Sequence, residues 1–261
     1  MTVREALRAA EERLARAGID TPRLDAELLL AHALGTTPTQ LAADPDQAVA
    51  PDALEPLLRR REEREPLAYV LGEWGFRRLT LKTDARALVP RPETEIVVER
   101  CLALLASTES PRVLDIGVGS GAIALALKDE RPDAQVTGVD VSRDALSLAR
   151  ENATALGLDI ELREGGVSAA GEGWDLVVSN PPYVDSLAGL QPELRHEPER
   201  ALIGEGMHEQ IARTAATRYL VFEVGDGQAH DVAGTLAAFG YEDVTITQDL
   251  ARLDRVVEGR R

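Results

Sequence analysis

The spacing of apolar residues is helical in the first part of the chain and changes after it. Val3, Leu7 and Leu14 recur on one helix face, and Gly18 is placed to end that helix. Predicted helices cover residues 3–18, 22–35, 37–42 and 51–64. Because the pattern predicts helices and no strands here, residues 1–65 are expected to form a small helical bundle.

A short alternating pattern follows the predicted bundle. The apolar positions in Trp74-Gly75-Phe76 and Leu79-Thr80-Leu81 alternate on either side of Arg77-Arg78. Such alternation around a polar pair is typical of two strands joined by a tight turn. We therefore interpret residues 66–92 as a linker that contains a β-hairpin.

Strand and helix patterns alternate from residue 93 to the end of the sequence. Strands are predicted near residues 112–115, 135–140, 159–163, 174–179, 218–224, 242–247 and 253–258. Helices are predicted near residues 94–106, 121–130, 142–157, 207–217 and 227–239. This alternation predicts an α/β domain over residues 93–261 with a doubly wound, mostly parallel sheet. The last two strands are joined too briefly for a crossover helix, so one of them must run antiparallel.

A glycine-rich turn follows the first strand of this domain. Gly117, Gly119 and Gly121 come after a buried strand and before a helix rich in small residues. Glycines let the main chain approach a ligand that side chains would exclude. The next strand ends at Asp140, 19 positions after Gly121 (140 − 121). A carboxylate at that place can accept hydrogen bonds from both hydroxyls of an adenosine ribose.

Glycine spacing alone does not distinguish a nicotinamide cofactor from other nucleoside ligands. Residues 117–122 also fit the dinucleotide pattern G-x-G-x-x-G/A. Asp115, however, precedes the turn, where its charge would repel a pyrophosphate and attract the ammonium and sulfonium groups of S-adenosylmethionine. The methionine-based cofactor is therefore favoured.

The tetrapeptide Asn180-Pro181-Pro182-Tyr183 directly follows the apolar run of residues 176–179. Two prolines fix φ and have no N–H, so they hold the Asn180 amide and the Pro181 carbonyl rigidly outward at a strand end. This acceptor pair can bind an NH2 group, with Tyr183 against the attached plane. The motif predicts group transfer onto an amide or exocyclic amine.

Composition indicates a globular protein of 261 residues with 44% hydrophobic and 28% charged residues. No apolar run is long enough to cross a bilayer, and the first residues lack the apolar region of a signal peptide, so we expect a cytoplasmic protein. The single cysteine, Cys101, is expected in the core. The four histidines show no ligand spacing, and we predict no metal site.

Net charge is −16, which disfavours a phosphate backbone as a partner. The candidate basic stripe, residues 59–61, is interrupted by nearby glutamates, and we interpret it as a solvated helix face. Direct DNA binding is not expected. A peptide or a protein with a basic patch remains compatible with this charge.

Several stretches together closely resemble the release-factor glutamine methyltransferases, also called the HemK-type family. The most specific is Pro-Arg-Pro-Glu-Thr-Glu at residues 90–95, together with the helical front end. The resemblance covers nearly the whole chain, through residues 24–35, 65–74, 89–95, 115–121, 139–140, 178–183, 223–225 and 249–257.

The resemblance implies methyl transfer from S-adenosylmethionine to the side-chain amide of the glutamine in the Gly-Gly-Gln loop of class 1 peptide release factors, leaving S-adenosylhomocysteine. It implies that Asn180, Pro181, Pro182 and Tyr183 act on the substrate, and that the helical front end grips the release factor. We expect a monomer. The candidate cofactor-binding residues are Thr94, Asp115, Gly117, Val118, Gly119, Ser120, Gly121, Asp140, Val141, Gly166, Val167 and Asn180.

Two stretches depart from the family pattern. Members usually carry Gly-Asp and a large residue ahead of the fourth strand, where the acid meets the adenine amine, whereas this chain has Glu164-Gly165-Gly166-Val167. Glu164 or a main-chain carbonyl is the candidate replacement. Residues 201–219 are also shorter than usual and lack a Pro-Gly-Gly turn.

Two other functions remain open from the sequence. The first is methylation of adenine, or of a glutamine in another protein, through the same proline turn. The acidic composition counts against adenine. The second is a non-catalytic binding protein that retains a methyltransferase shape, which Gly166 and the short segment motivate.

Overall fold

A computed structural model describes residues 1–184, 186, 189–204 and 206–261 of the chain. It forms two compact units. The first, called here the helical unit, contains residues 1–73 and residues 190–196. The second, called the sheet unit, contains residues 74–189 and 197–261. A short piece of chain that follows the proline turn in sequence therefore belongs to the helical unit.

The helical unit has five α-helices among its described residues, with 3₁₀ turns at Pro51–Ala53 and Pro192–His196. The helices are α1 (Val3–Arg16), α2 (Pro22–Ala33), α3 (Pro38–Ala43), α4 (Glu55–Glu62) and α5 (Leu67–Leu71). Local capping explains where α1 begins, because Thr2 Oγ1 accepts the Glu5 N–H at 3.2 Å and the Glu5 carboxylate accepts the Thr2 N–H at 2.8 Å. The predicted helices are confirmed, whereas α5 was not predicted.

A buried ion-pair cluster joins three parts of the helical unit. Arg61 on α4 donates to Asp25 at 2.7 Å and to Glu193 at 2.9 Å, and Arg64 donates to Glu193 at 2.7 Å. Only 6% of Arg61 is exposed. The prediction that residues 59–61 form a solvated helix face is therefore wrong for Arg61. Its charge can be buried because two carboxylates, those of Asp25 and Glu193, lie against it.

The sheet unit contains a seven-stranded sheet and, apart from the first residue of β1, a separate hairpin of β1 (Glu73–Phe76) and β2 (Leu79–Lys82). The sheet strands are β3 (Arg112–Ile116), β4 (Gln135–Asp140), β5 (Glu161–Glu164), β6 (Trp174–Ser179), β7 (Thr217–Glu223), β8 (Glu242–Gln248) and β9 (Asp254–Arg260). Their order is β5-β4-β3-β6-β7-β9-β8, with β9 antiparallel to both neighbours. The predicted mostly parallel fold with an antiparallel strand near the end is confirmed.

Helices cover both faces of this sheet. The helices of the sheet unit are α6 (Thr94–Leu104), α7 (Ala122–Glu130), α8 (Arg143–Leu156), α9 (Glu199–Leu202), α10 (Met207–Thr214) and α11 (Ala229–Ala238), and all of these except the short α9 pack on the sheet. One apolar core lies between the sheet and α6, α7 and α8, and it includes the fully buried Cys101 and Phe76 of the hairpin. The other lies between the sheet and α10 and α11. Cys101 is thus the core residue that the sequence predicted.

The parallel pairing decides where the two sequence motifs lie. Strand β3 pairs in parallel with β4 on one side and with β6 on the other. The glycine turn follows β3, Asp140 ends β4, and the proline turn follows β6. All three therefore lie at the carboxyl edge of three adjacent strands, where open sheets bind ligands. In the described part of the chain, none of the helices has the length and apolar character needed to span a bilayer.

Candidate active site

The glycine turn wraps closely around the end of β4. The N–H groups of Gly117 and Val118 both donate to the Val139 carbonyl, at 2.8 and 3.0 Å. Gly117, Gly119 and Gly121 have φ values of 76°, 56° and 91°, in the left-handed region that favours glycine. The three glycines thus let the main chain bend sharply between the end of β3 and the N-terminus of α7.

Asp140 connects this turn to the loop after β4. Its Oδ2 accepts the Gly119 N–H at 3.0 Å, and its Oδ1 accepts the Ser142 N–H at 2.8 Å. The carboxylate is partly exposed, so each oxygen retains a lone pair for a further donor. Two main-chain anchors therefore orient this acid toward the space in front of the glycine turn.

Asp115 is placed differently from Asp140. Only 1% of the residue is exposed, and its Oδ2 accepts the Ala124 N–H at 3.2 Å. Its Oδ1 is buried without a hydrogen-bond partner. Burial raises the pKa of Asp115 to about 7, partly offset by the Ala124 N–H. Asp115 lies beneath the turn and does not line the cavity described below.

Asn152 supports the glycine turn from behind, although no motif in the sequence predicted this role. From α8, its Nδ2 donates to the Ser120 carbonyl at 2.9 Å and to the Lys82 carbonyl at 3.2 Å. Its Oδ1 accepts the Lys82 N–H at 2.7 Å. One buried amide therefore joins the hairpin, the turn and α8, which lie far apart in sequence.

The proline turn begins directly at the end of β6. Ser179 donates its hydroxyl to the Ile116 carbonyl at 2.7 Å, which ties the strand end to β3. Asn180, Pro182 and Tyr183 are partly exposed, whereas Pro181 is buried. Burial raises the pKa of Tyr183 to about 12, so its hydroxyl is neutral at physiological pH.

A cavity of about 410 Å³ lies in front of both turns, within the size range of small-molecule sites. It brings together these predicted site residues: Thr94, Gly117, Val118, Gly119, Ser120, Asp140, Val141, Gly166, Val167, Asn180 and Pro182. Its lining does not include Asp115, Gly121, Pro181 or Tyr183. Gly121 instead faces α7, where an added Cβ would lie 2.8 Å from Leu125 Cδ1.

One wall of the cavity comes from residues 86–91, which were not among the site residues predicted from the sequence. Glu197, only 6% exposed, accepts the Val89 N–H at 3.0 Å and an Arg91 N–H at 2.5 Å. The pairing of Glu197 with the Pro-Arg-Pro-Glu-Thr-Glu motif was not visible in the sequence, because more than 100 residues separate them.

Segment 201–219 supplies another part of the lining. Its cavity residues are Ala201, Ile203, Gly204 and Met207. An added Cβ at Gly204 would lie 2.7 Å from Pro182 Cγ, so this segment packs tightly on the proline turn. Glu205 lies outside the described residues.

The side of the cavity near β5 lacks the acid that family members usually carry there, because this chain has Gly166 in that stretch. Gly165, Gly166 and Val167 form the lining there, with Val141, which is 66% exposed. Glu164 is exposed and pairs with Arg143 at 2.8 Å, and it does not line the cavity. Of the two candidate replacements for a family acid, a main-chain group is therefore the one adjacent to the cavity.

Two family models and several curated relatives match this chain. Residues 5–72 match the family model described as PrmC N-terminal domain, and residues 94–208 match the one described as methyltransferase small domain. The release factor glutamine methyltransferase of Deinococcus radiodurans is 41% identical, over 100% of this chain and 99% of that protein. The protein of the same name from Rhodospirillum rubrum is 42% identical, over 95% of this chain and 82% of that one.

The fold is also found among solved structures. The crystal structure of the hMettl16 catalytic domain in complex with the MAT2A 3′UTR hairpin 6 has a TM-score of 0.55 and 15% identity, covering 69% of this chain and 74% of that one. Likeness at this level of identity concerns the fold alone. The two family models and the full-length relatives go further: the chain belongs to the release factor glutamine methyltransferase family, a class of S-adenosylmethionine-dependent protein-glutamine N-methyltransferases.

Proposed function

We propose that this enzyme methylates the side-chain amide nitrogen of the glutamine in the Gly-Gly-Gln loop of class 1 peptide release factors, with S-adenosylmethionine as methyl donor. The observation that carries the proposal is the position of Asn180. It lines the same cavity as the glycine turn and Asp140, so an amide acceptor stands beside a nucleoside site.

The residues present fit that cofactor. Asp140 offers its free lone pairs to the ribose hydroxyls, because its two bonds to the main chain leave acceptor capacity. The turn of positive-φ glycines leaves room for the methionine part. Val141 and Val167 provide apolar surface for the base, whose polar edge we assign to main-chain groups near Gly166. When bound, the cofactor supplies an electrophilic methyl group on a sulfonium.

The chain's own contribution to the reaction is orientation of the amide. The Asn180 side-chain oxygen accepts an N–H of the substrate amide, which aims the nitrogen at the methyl carbon, whereas the buried Pro181 is not part of the cavity lining. The N–C bond forms as the C–S bond breaks, and the thioether leaves with the electron pair. The methylated amide nitrogen is strongly acidic and releases its proton to solvent, so no dedicated base is required.

We assign recognition of the release factor to the helical unit. Most of this unit matches the PrmC N-terminal domain, and it is a compact unit distinct from the one that contains the catalytic sheet. With 45 acidic against 29 basic residues in the whole chain, a partner that presents a basic surface is electrostatically favoured over a nucleic acid. We propose residues 1–65 as the recognition region, 66–92 as the linker and 93–261 as the catalytic domain.

The test is mass spectrometry of a release factor after incubation with the protein and S-adenosylmethionine. We expect one methyl group on the Gly-Gly-Gln glutamine with the wild type and none with Asn180→Ala. Thr235→Ala, which removes an exposed hydroxyl on α11, is the control and should behave as wild type. A folded Asn180→Ala enzyme that methylates at the wild-type rate would contradict the assigned role.

The same mixture separates the alternatives. Methylation of duplex DNA but not of the release factor would favour an adenine methyltransferase. Absence of S-adenosylmethionine binding in calorimetry would favour a non-catalytic binding protein. Asp140 and Asn180, placed on one cavity, weigh against the second alternative.

A further inference from the structure

The end of β7 lies directly beside the proline turn. Strands β6 and β7 pair in parallel with Ser179 opposite Phe222, so Glu223 follows on β7 where Asn180 follows on β6. Glu223 is 2% exposed although it carries a carboxyl group. A buried carboxyl group at a site edge needs a partner, and here the partner is Thr94, the first residue of α6.

Thr94 connects Glu223 to Asn180. Its hydroxyl donates to Glu223 Oε2 at 2.6 Å, and its Oγ1 lies 3.5 Å from Asn180 Nδ2, a long contact. A hydroxyl has one proton, so when that proton goes to Glu223 the oxygen faces Asn180 with lone pairs only. It then attracts the NH2 end of the Asn180 side chain and leaves the carbonyl end for another donor.

A second contact holds the other end of the turn. Gln228 Nε2 donates to the Tyr183 carbonyl at 3.0 Å, while its Oε1 accepts the Gly225 N–H at 3.1 Å. An added Cβ at Gly225 would lie 2.9 Å from Tyr183 Cδ2, so the ring packs against bare main chain. Residues 223–228 therefore contact both Asn180, through Thr94, and Tyr183.

We propose that Thr94, Glu223 and Gln228 are positioning residues that hold the Asn180–Tyr183 turn and fix which end of the Asn180 amide faces the substrate. This inference rests on the proposed function, because it deepens the role assigned to Asn180. It gives Thr94 a task different from the cofactor contact expected from the sequence.

The ionisation of Glu223 controls the direction of this hydrogen-bond chain. Burial raises the pKa of Glu223 to about 7, against the lowering effect of the Thr94 hydroxyl. Glu93 raises that pKa further, and Arg255 and Arg91 lower it. The other nearby titratable groups are the Tyr183 phenol, whose pKa burial raises to about 12, and His208, whose pKa burial lowers and whose ring packs on Phe222.

Protonation of Glu223 would remove the preference for one orientation of the Asn180 side-chain amide. A protonated carboxyl can donate to Thr94, which frees the Thr94 proton to turn toward the Asn180 carbonyl. The amide would then lose its preferred orientation. We therefore expect the methyl-transfer rate to rise as pH rises through about 7, and the rise to require both Glu223 and Thr94.

The first experiment compares Thr94→Val, Thr94→Ser and the wild type in steady-state methylation of a release factor. Thr94→Val should lower kcat about 10- to 100-fold, with the KM for S-adenosylmethionine changed by less than about threefold. Thr94→Ser keeps the hydroxyl and should restore most of the rate. The matched control is Thr137→Val, because Thr137 is also buried and donates to a glutamate, Glu161 at 2.9 Å.

The second experiment records kcat against pH for Glu223→Gln, whose side chain does not titrate. Its profile should lack the inflection near pH 7 that the wild type shows, whereas Thr137→Val should keep it. Gln228→Ala should lower kcat about tenfold with the inflection retained, since the Glu223–Thr94 pair is intact.

Each outcome decides the inference. A Thr94→Val enzyme with normal kcat and a raised KM for S-adenosylmethionine would make Thr94 a cofactor ligand and overturn the proposal. An inflection that persists in Glu223→Gln would also overturn it. A wild type that binds S-adenosylmethionine but leaves the release factor unmethylated would remove the proposed function, and this inference with it.

Discussion

Replacing Asn152 by leucine should destabilise the sheet unit and weaken the glycine turn at the same time. Asn152 is 2% exposed, and it makes three hydrogen bonds, two to the main chain of Lys82 and one to the Ser120 carbonyl. Leucine has the same branched arrangement of side-chain heavy atoms as asparagine, but its methyl groups are larger than the amide oxygen and nitrogen. The substitution therefore removes the polar contacts, and any overpacking at this buried position adds to the loss of stability.

The size of the effect follows from the burial of the three main-chain groups that lose their hydrogen-bond partner, which are the Lys82 N–H and the carbonyls of Lys82 and Ser120. A buried main-chain group left without a partner costs about 1–3 kcal/mol. Only the bond to Ser120 is fully buried, and the two bonds to Lys82 are partly buried, where water can replace part of the loss. Taking the lower end for each of the three groups, we expect the free energy of unfolding to fall by about 3 kcal/mol.

Urea denaturation followed by tryptophan fluorescence measures this change in the right part of the protein. The chain has two tryptophans, Trp74 and Trp174, and both belong to the sheet unit. Thr154→Ala on the same helix removes an exposed hydroxyl and is the control, expected within about 0.5 kcal/mol of wild type. Calorimetry on the folded variant should also show weaker S-adenosylmethionine binding, because Ser120 lines the cavity.

A decrease of less than about 1 kcal/mol in the free energy of unfolding of Asn152→Leu would contradict this prediction, because it would mean that water already satisfies these main-chain groups. If stability falls as expected but the affinity for S-adenosylmethionine equals that of the wild type, the second part of the prediction is wrong. In that case the three hydrogen bonds would support the fold without shaping the glycine turn.

Three further predictions concern other parts of the chain. Gly121→Ala should destabilise the sheet unit by about 1–3 kcal/mol in the same denaturation assay, because φ is 91° and the new Cβ would press on Leu125. Arg61→Met should cost about 3–5 kcal/mol and speed amide exchange in α2 and α4, since Asp25 would remain buried without a cation while Glu193 keeps Arg64; exchange as slow as in the wild type would contradict this. The pKa of Asp115 is raised from 3.8 to about 7 in the folded protein, so the unfolded chain releases this proton at lower pH than the folded one. The stabilising contribution of Asp115 is therefore full below pH 3.8 and is lost as pH rises through about 7. Asp115→Asn should remove this pH dependence from the free energy of unfolding, and an unchanged pH dependence would mean that another group titrates.

The order of strands and helices in the sheet unit was readable from the sequence because each element carries its own local pattern. Strands β4 and β6 have the predicted limits, and the glycine turn and Asn-Pro-Pro-Tyr follow strands as expected. Parallel pairing then places both turns at one edge. In the helical unit, α5 was missed because it has only five residues, too few for helical periodicity to show.

Burial and distant contacts were decided only by the tertiary structure. The sequence treats Asn180, Pro181 and Tyr183 as one motif, whereas packing exposes Asn180 to the cavity and buries Pro181. Glu197 and Asn152 hold walls of the site through partners far away in the chain, which no local pattern encodes. Periodicity reports which face of an element is apolar, but the partner of a buried polar group depends on which segments the fold brings together.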